Sequence, residues 1–546
     1  MWKCYRKGRT KKLIAKTESF DRLKQDDFRR VRPYKTLLGI PLYADNSALR
    51  DYISHSEGSF DETLDNLYGA GEHIDIRIVT SKLNCENLPS LAKIIAERYH
   101  YCRHVCLMGL EMMGNAMINR DKVWCSYGEL WPYVYHDKDE YISEFQYDMA
   151  GMKYCLLSAT QLVILMLTDS CNQRCVYCQA GGAHTSKMSA ETCRKAVNLA
   201  VQSPVSHITI EFQGGEPAMN PEALRFMIPY ARKVFAEHGK SVGFALASNI
   251  THVDAELLRW IIEQDVNIST SLDGNRTLHE YNRPLAVNES SYDAWHEGVE
   301  LYRKLCAECG KNPALSAIQT TTRKSLSCPG EIIDEYISDE MNQLYVRPLT
   351  PLGRARKNWN IIGYSPEEYI KFYCHLMDCM MKKCRDGVYV SEAAASIYLK
   401  RILNGESVGH TEFRSPRGAA TGQIAVNYDG NIYTCDEGRM LANMGDDIFR
   451  LGSVDNTYRE LMKSPVAHAV CTSSCAEALP MCCACVYLPY CSVCPAVNYG
   501  LEGDLIQRDG HSYRCVIAKG ILDYLFTVIQ KNNSEEMKIL RQWANS

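Results

Sequence analysis

Three cysteines on one short loop constrain this chain more than any other feature. Leu167 to Ala180 reads LTDSCNQRCVYCQA, with Cys171, Cys175 and Cys178 in a Cys-x3-Cys-x2-Cys spacing. The apolar run Leu162 to Leu167 precedes them and the pair Gly181-Gly182 follows. The segment therefore reads as a buried strand running into a loop. Thiolates this close can hold three irons of a 4Fe–4S cluster, leaving the fourth iron open to a substrate or cofactor. The same residues are three-quarters of a cysteine zinc site, so the spacing alone leaves both metals open.

Composition narrows the setting. A chain of 546 residues, 46% of them apolar, can bury a large core and holds about two to four domains. The net charge is −4 and no long basic block occurs, so nothing points to a nucleic-acid partner. The basic start, MWKCYRKGRTKK, is not followed by an apolar core of the kind found in secretory signals. Without such a signal, 25 cysteines read as metal ligands rather than a disulfide scaffold. Leu156 to Leu167 is short and carries Ser158, Thr160 and Gln161, which excludes it as a membrane span. The expectation is a chain of the reducing cytoplasm of an oxygen-poor cell.

Residues 155–355 alternate strand and helix patterns. Strands are expected at Gln161–Leu167, His207–Phe212, Gly243–Ala247, Asn267–Ser271, Ala314–Gln319 and Gln343–Arg347, with helices such as Ala190–Gln202 and Pro221–His238 between them. This alternation predicts a parallel sheet covered by helices, a partial β/α barrel with its site at the C-terminal strand ends. Residues 356–425 read as a helical bridge, with Ser365 capping a helix that starts at Pro366. Residues 426–515 are turn-rich and dense in cysteine, within a domain placed at 426–530, and a last amphipathic helix falls within Glu502 to Trp543, with 531–546 as its end.

Residues 1–150 contain a diverged repeat. Ile40 to Leu67 and Ile268 to Val299 both run strand, Asp, short loop, Leu-x-x-Tyr step, then Ser-Phe-Asp or Ser-Tyr-Asp opening a helix. With a strand at Ile74–Val79, a helix at Leu88–Arg98 and a strand at His104–Gly109, this segment reads as the second half of a β/α barrel without a cysteine loop. Its cysteines (Cys4, Cys85, Cys102, Cys106, Cys125) have no ligand spacing, and 110–150 reads as a linker or cap.

Gly214-Gly215-Glu216-Pro217 follows the second barrel strand. A glycine pair admits close backbone approach to a ligand, and a glutamate accepts hydrogen bonds from an ammonium group. With Tyr177 ahead of the third cysteine, these motifs resemble the radical S-adenosylmethionine enzymes. The resemblance implies that Cys171, Cys175 and Cys178 hold the cluster that binds and reductively splits S-adenosylmethionine. It implies that Gly214 to Pro217 hold the cofactor's amino group. It further implies that Ser248, Asn249, Ser271 and Asp273 contact its nucleoside and ribose. Arg283, closing His279-Glu280-Tyr281-Asn282-Arg283, is the candidate partner of its carboxylate. For Ser248, Asn249 and His279 a solvated-loop role stays open.

Cys482-x2-Cys485-x5-Cys491-x2-Cys494, the distant Cys515, Gly430-x4-Cys435 upstream and Cys471-x3-Cys475 resemble the SPASM module. This is the auxiliary-cluster domain of radical enzymes that modify peptides. The last spacing is two here where the family has three, and Arg414 and Ala419-Ala420 stand where it has paired cysteines. The resemblance implies one auxiliary 4Fe–4S cluster on Cys482, Cys485, Cys491 and Cys515. It assigns Cys435 and Cys494 to another, for which Cys471 and Cys475 are candidate further ligands. Two four-cysteine zinc sites remain the alternative from spacing alone. Asp436, beside Cys435, is a candidate catalytic base or a residue that ends a strand.

Arg417 to Met440 and Cys491 to Tyr499 are similar to the His-Xaa-Ser system maturases, and residues 40–119 resemble the second half of that system's other maturase. The likeness covers about 155–530 and implies S-adenosylmethionine, one or two auxiliary clusters, and a ribosomally made peptide or protein substrate encoded nearby. An electron donor such as flavodoxin or ferredoxin is implied as well. A formylglycine-forming sulfatase maturase and a noncatalytic or decayed fusion are the competing readings.

Overall fold

The computed structural model describes residues 3–7, 10–15, 37–70, 74–99, 104–109, 119–123, 160–179, 185–406, 411–479, 481–507 and 510–545. Gly181-Gly182, Cys102, Cys125 and nearly all of the linker or cap expected at 110–150 lie outside them. The chain divides into two compact units, Met1–Leu157 and Ser158–Ser546.

In the first unit the strands β1 (Lys3–Lys7) to β5 (His104–Gly109) form one sheet in sequence order. β3 (Leu37–Pro41), β4 (Ile74–Thr80) and β5 run parallel. They are linked by α1 (Ser47–Ser54), α2 (Ser59–Ala70) and α3 (Leu88–Arg98). The antiparallel pair of β1 with β2 (Thr10–Ala15) was not foreseen. Ile40, Ile76 and Ile78 pack on Leu67, Leu91 and Ile95 of the covering helices. Asn46 caps α1, and Asp51 accepts hydrogen bonds from the Gly58 and Phe60 amides and the Ser59 hydroxyl, which fixes the start of α2.

The second unit carries the barrel. β6 (Leu162–Met166), β7 (His207–Gln213), β8 (Ser241–Ala247), β9 (Asn267–Ser271), β10 (Ser316–Thr320) and β11 (Gln343–Arg347) are parallel and adjacent in that order, followed by the short β12 (Ser391–Glu392). The intervening helices include α4 (Ala190–Ala200), α5 (Pro221–Glu237), α6 (Ala255–Glu263), α7 (Arg276–Asn282), α8 (Ser291–Glu308) and α9 (Pro329–Ser338). Alternation explains the layering. Ile208, Ile210 and Phe212 of β7, Phe244 and Leu246 of β8, and Leu344 and Val346 of β11 are buried in the helix-covered core. The opposite face presents half-buried Thr209, Glu211, Gln213, Ser269, Ser271, Tyr345 and Arg347. The inner face is thus polar, and the core lies between sheet and helices. β9 with α7 and α8 repeats the β3–α1–α2 arrangement: Asn275 caps α7, and Glu280 accepts from the Ser290 hydroxyl that caps α8.

Ser365 caps α10 (Pro366–Arg385) in a reciprocal capping box with Glu368, and α11 (Ala393–Leu403) follows. Two boundaries differ from expectation. β13 (Gln423–Val426) crosses the limit placed at 425/426 and pairs with β6, so the C-terminal strands β13, β14 (Asn431–Tyr433) and β15 (Arg450–Ser453) extend the barrel sheet. The last helix is two, α14 (Tyr513–Lys531) and α15 (Ser534–Ala544), because Asn532 turns left-handed at φ 50° and Asn533 caps the new start.

A Cβ on Gly298 of α8 would collide with the Ile250 carbonyl oxygen. Gly298→Ala is therefore expected to lower stability by about 1–3 kcal/mol, read as a fall in Tm against wild type.

Candidate active site

The cysteine loop leaves β6 and is pinned on three sides. The Thr168 hydroxyl donates to the Ser186 carbonyl (2.6 Å), and the Asp169 carboxylate accepts from the Ser186 amide (2.8 Å). The amides of Arg174 and Val176 donate to the carbonyls of Pro284 and Asn282 at 2.7 and 2.9 Å. The third brace is the segment after β11. The Arg354 amide donates to the Cys178 carbonyl (3.0 Å), its guanidinium to Cys175 O (3.1 Å), and Asn358 Nδ2 to Val176 O (2.7 Å). Gly353 allows this approach: its φ is +58°, and a Cβ there would stand 2.9 Å from Gln179 Cα. Sequence reasoning missed Gly353, Arg354 and Asn358, whose partners lie far upstream.

The Gly214-Gly215 pair serves the same loop. The Gly215 and Glu216 amides donate to the carbonyls of Thr168 (2.8 Å) and Ser170 (2.7 Å). A Cβ on Gly214 would stand 2.6 Å from the Thr168 oxygen, and one on Gly215 would collide with the Ser170 oxygen. The close approach expected toward a ligand is here an approach to the chain itself. Glu216 is buried, and its carboxylate accepts from the Ser248 hydroxyl (2.9 Å) and the amides of Asn249 (2.8 Å) and Ala218 (3.0 Å). Pro217 opens the short turn that follows. Ser248 and Asn249 are buried, not solvated, and Asn249 Nδ2 reaches Asn172 Oδ1 (2.7 Å) and Cys171 Sγ (3.8 Å).

Tyr177, Asp273 and Arg283 meet beneath the loop. The Tyr177 hydroxyl donates to Asp273 Oδ2 (2.7 Å), and Arg283 Nε to Oδ1 (3.3 Å). The Thr320 amide also donates to Oδ1 (3.1 Å). The Arg283 guanidinium lies 5.5 Å from the Tyr177 ring centroid and 3.9 Å, from Nη1, to Cys175 Sγ. Arg283, expected to face a cofactor carboxylate, is thus paired with Asp273. Buried His279 accepts from the Asp273 amide (3.4 Å), and burial holds it neutral by pushing its pKa well down. Ser271 sits half-buried on the inner face of β9.

Burial pushes the Cys175 thiol up to about 12, with Arg283 opposing and the charges of Cys178 and Cys171 adding to the rise. Cys171 goes to about 11, by burial first. Three thiolates this mutually repulsive need a cationic metal centre to stay ionised together. The N–H donors of Gln173 (3.4 Å) and Asn249 at Cys171 Sγ and of Arg283 at Cys175 Sγ suit cluster-ligating sulfur. The donor set fits a 4Fe–4S cluster.

The comparisons decide between iron and zinc. The model of the radical SAM superfamily matches residues 165–310. Residues 165–310 are a radical SAM domain, and the chain is an iron–sulfur enzyme. It is 24% identical over 323 residues to the cysteine-type anaerobic sulfatase-maturating enzyme of Clostridium perfringens, covering 57% of this chain and 82% of that one. The serine-type enzyme of Klebsiella aerogenes is 22% identical over 279 residues, 49% and 64% of the two chains. In fold, the chain is similar to native anSMEcpe with bound AdoMet, at TM-score 0.57, 20% identity and coverage of 70% and 99%. Its cofactors are a 4Fe–4S cluster and S-adenosylmethionine, and the cysteine-rich C-terminal region fits auxiliary clusters.

In that region the thiols fall into two groups. Burial raises Cys482 to about 11 and Cys491 to about 12, and in both the charges of Cys515 and Cys485 add to the rise. These four form one electrostatic group, and the charge of Cys483 also acts on Cys482. Cys435 and Cys494 are buried together with Leu441, Phe449 and Val470. Cys435 caps α12 (Asp436–Asn443), its sulfur accepting from the Gly438 amide. Cys471 lies on α13 (Pro465–Ser473), next to Val470, and Cys475 two residues beyond that helix. Arg417, fully buried, pairs with Glu437 (3.1 Å) and Glu412 (3.2 Å). Asp436 starts a helix instead of ending a strand, and its Oδ1 pairs with Arg439 at 2.7 Å. It lies within electrostatic reach of Glu211 on β7 and Arg347 on β11, inner-face residues that sequence reasoning did not select.

Gly215→Ala is expected to keep the far-UV circular dichroism of wild type and to lower iron per chain after anaerobic reconstitution, because the loop cannot seat. Tyr177→Phe should retain iron and cost about 1 kcal/mol of stability, the net worth of its bond to Asp273, read by denaturant unfolding.

Proposed function

We propose that this enzyme modifies a residue of a ribosomally made peptide or protein held in the barrel, as a maturase of the His-Xaa-Ser type. The observation that carries the reading is the polar inner face, where Glu211 and Arg347, the latter beside Tyr345, lie within electrostatic reach of Asp436 of the cysteine-rich region. Native anSMEcpe has been solved with AdoMet and the Kp18Cys peptide, which supports a peptide as the substrate class.

Cys171, Cys175 and Cys178 hold the 4Fe–4S cluster, which when bound supplies the electron that splits S-adenosylmethionine and yields a hydrogen-abstracting 5′-deoxyadenosyl radical. A flavodoxin or ferredoxin is the proposed reductant. Gly214 to Pro217, Ser248, Asn249, Ser271 and Asp273 shape the cofactor side of the cavity. Arg283 holds Asp273 and Tyr177 in place beneath it. Asp436 is the proposed base: Arg439 occupies its Oδ1, so Oδ2 is the oxygen open to a substrate proton. Cys482, Cys485, Cys491 and Cys515 hold one auxiliary cluster. Cys435 and Cys494, completed by Cys471 and Cys475, hold the other.

A second reading, formation of formylglycine in a sulfatase, is favoured by the match to the cysteine-type enzyme. Incubation of the reduced enzyme with S-adenosylmethionine and the small proteins encoded beside its gene separates the two. The maturase reading expects a mass change in a His-Xaa-Ser peptide. Conversion of a sulfatase cysteine or serine to formylglycine, with that peptide untouched, would replace it. In Asp436→Asn, 5′-deoxyadenosine should still form while peptide product falls at least about a hundredfold, within the usual range for loss of a general base. A Cys471→Ala, Cys475→Ala double variant should hold less iron per chain than wild type. Unchanged iron would remove these two cysteines from the ligand set.

A further inference from the structure

The helical side of the barrel carries a second constellation that the chemistry above does not use. His296 on α8, with Glu335 on α9 and Asp339 at its C-cap, bring one ligand atom each within 4.8 Å of one another. Glu335 and Asp339 are one helical turn apart, so both carboxylates leave the same face. His296 Nε2 is 3.1 Å from Asp339 Oδ1 and 3.9 Å from Glu335 Oε1.

The histidine is oriented from behind. Its Nδ1 lies 3.0 Å from the Tyr292 carbonyl oxygen. A carbonyl only accepts, so Nδ1 carries the proton, and in the neutral ring Nε2 turns its lone pair toward the two carboxylates. A lone pair facing carboxylate oxygens is repulsive unless a proton or a metal ion lies between them. Histidines that bind metals are held in this way, with the nitrogen away from the metal donating to a backbone carbonyl. A second observation points the same way. Asp339 is only 7% exposed, and its Oδ2 is buried without a hydrogen-bond partner. The guanidinium of Arg303 is bonded to the Asp339 backbone carbonyl, not to this oxygen. The Tyr292 hydroxyl donates to Glu335 Oε1 and fixes the other carboxylate.

We propose that His296, Glu335 and Asp339 bind a divalent first-row transition-metal ion that ties α8 to α9, apart from every iron–sulfur site. One imidazole nitrogen and two carboxylate oxygens suit Mn2+, Fe2+ or Zn2+ better than the all-oxygen preferences of Ca2+ and Mg2+. The His296 side chain is 30% exposed and that of Glu335 12%, which leaves a path for the ion and room for water to complete its shell. The site is independent of the reaction proposed for the cysteine loop.

The test uses the reconstituted, desalted holoenzyme, titrated anaerobically with Mn2+, with free ion read from its room-temperature EPR amplitude. Wild type is expected to take up a single Mn2+ per chain. Asp339→Asn and Glu335→Gln, both nearly isosteric, are expected to bind it about tenfold more weakly or worse, with iron content and 5′-deoxyadenosine formation unchanged. Equal uptake by wild type and both variants would overturn the assignment. So would no uptake by wild type at millimolar Mn2+, which would leave the three side chains as a protonated-histidine ion pair.

Discussion

The structure depends on keeping three half-buried thiols together on one loop. Burial and neighbouring charge both resist ionisation of Cys171 and Cys175, the latter pushed up to about 12, so the loop must be held by groups other than the thiols. The chain does this with backbone. Gly214 and Gly215 come close enough for the Thr168 and Ser170 carbonyls to be satisfied, and the segment 282–286 and the residues around Arg354 bond other amides and carbonyls of the loop. Side chains then set the charge. Arg283 is anchored by Asp273, Asp273 by Tyr177 and Thr320, and the guanidinium rests 3.9 Å from Cys175 Sγ. A preorganised cradle of this kind spares the site any reorganisation when charge arrives.

The same logic joins the barrel to the cysteine-rich region. β13 pairs with β6, the strand that delivers the cysteine loop, so the two are parts of one sheet. This pairing brings Asp436 and the buried Arg417–Glu437 pair to the barrel's inner face without a flexible linker. In the other compact unit, β3–α1–α2 keeps the capping devices of β9–α7–α8. Asp45 follows β3 as Asp273 follows β9, and Tyr43 stands where the barrel has Ser271.

Periodicity made most of this fold legible. Asn267–Ser271 and Gln343–Arg347 match the observed strands residue for residue, because each buries every second side chain under helices. The cysteine loop and the glycine pair were legible because their chemistry is local. The braces at Gly353, Arg354 and Asn358 were not, since their partners lie about 180 residues upstream and nothing local marks them. The roles of Glu216 and Arg283 differed for a related reason. A sequence shows which groups can hold a ligand, but not which of them the fold has already paired with Ser248, Asn249 or Asp273. β13 escaped notice because its pairing with β6 spans more than 250 residues, and Asn532 because one left-handed residue divides an otherwise continuous helical pattern.

The central claim is that the loop of Cys171, Cys175 and Cys178, so held, performs reductive cleavage of S-adenosylmethionine. The most direct measurement is 5′-deoxyadenosine formed by the anaerobically reconstituted and reduced protein, beside a Cys175→Ala control. Product is expected from wild type and none from the variant. A wild-type protein that carries its full iron and forms no 5′-deoxyadenosine would contradict it and favour a noncatalytic scaffold.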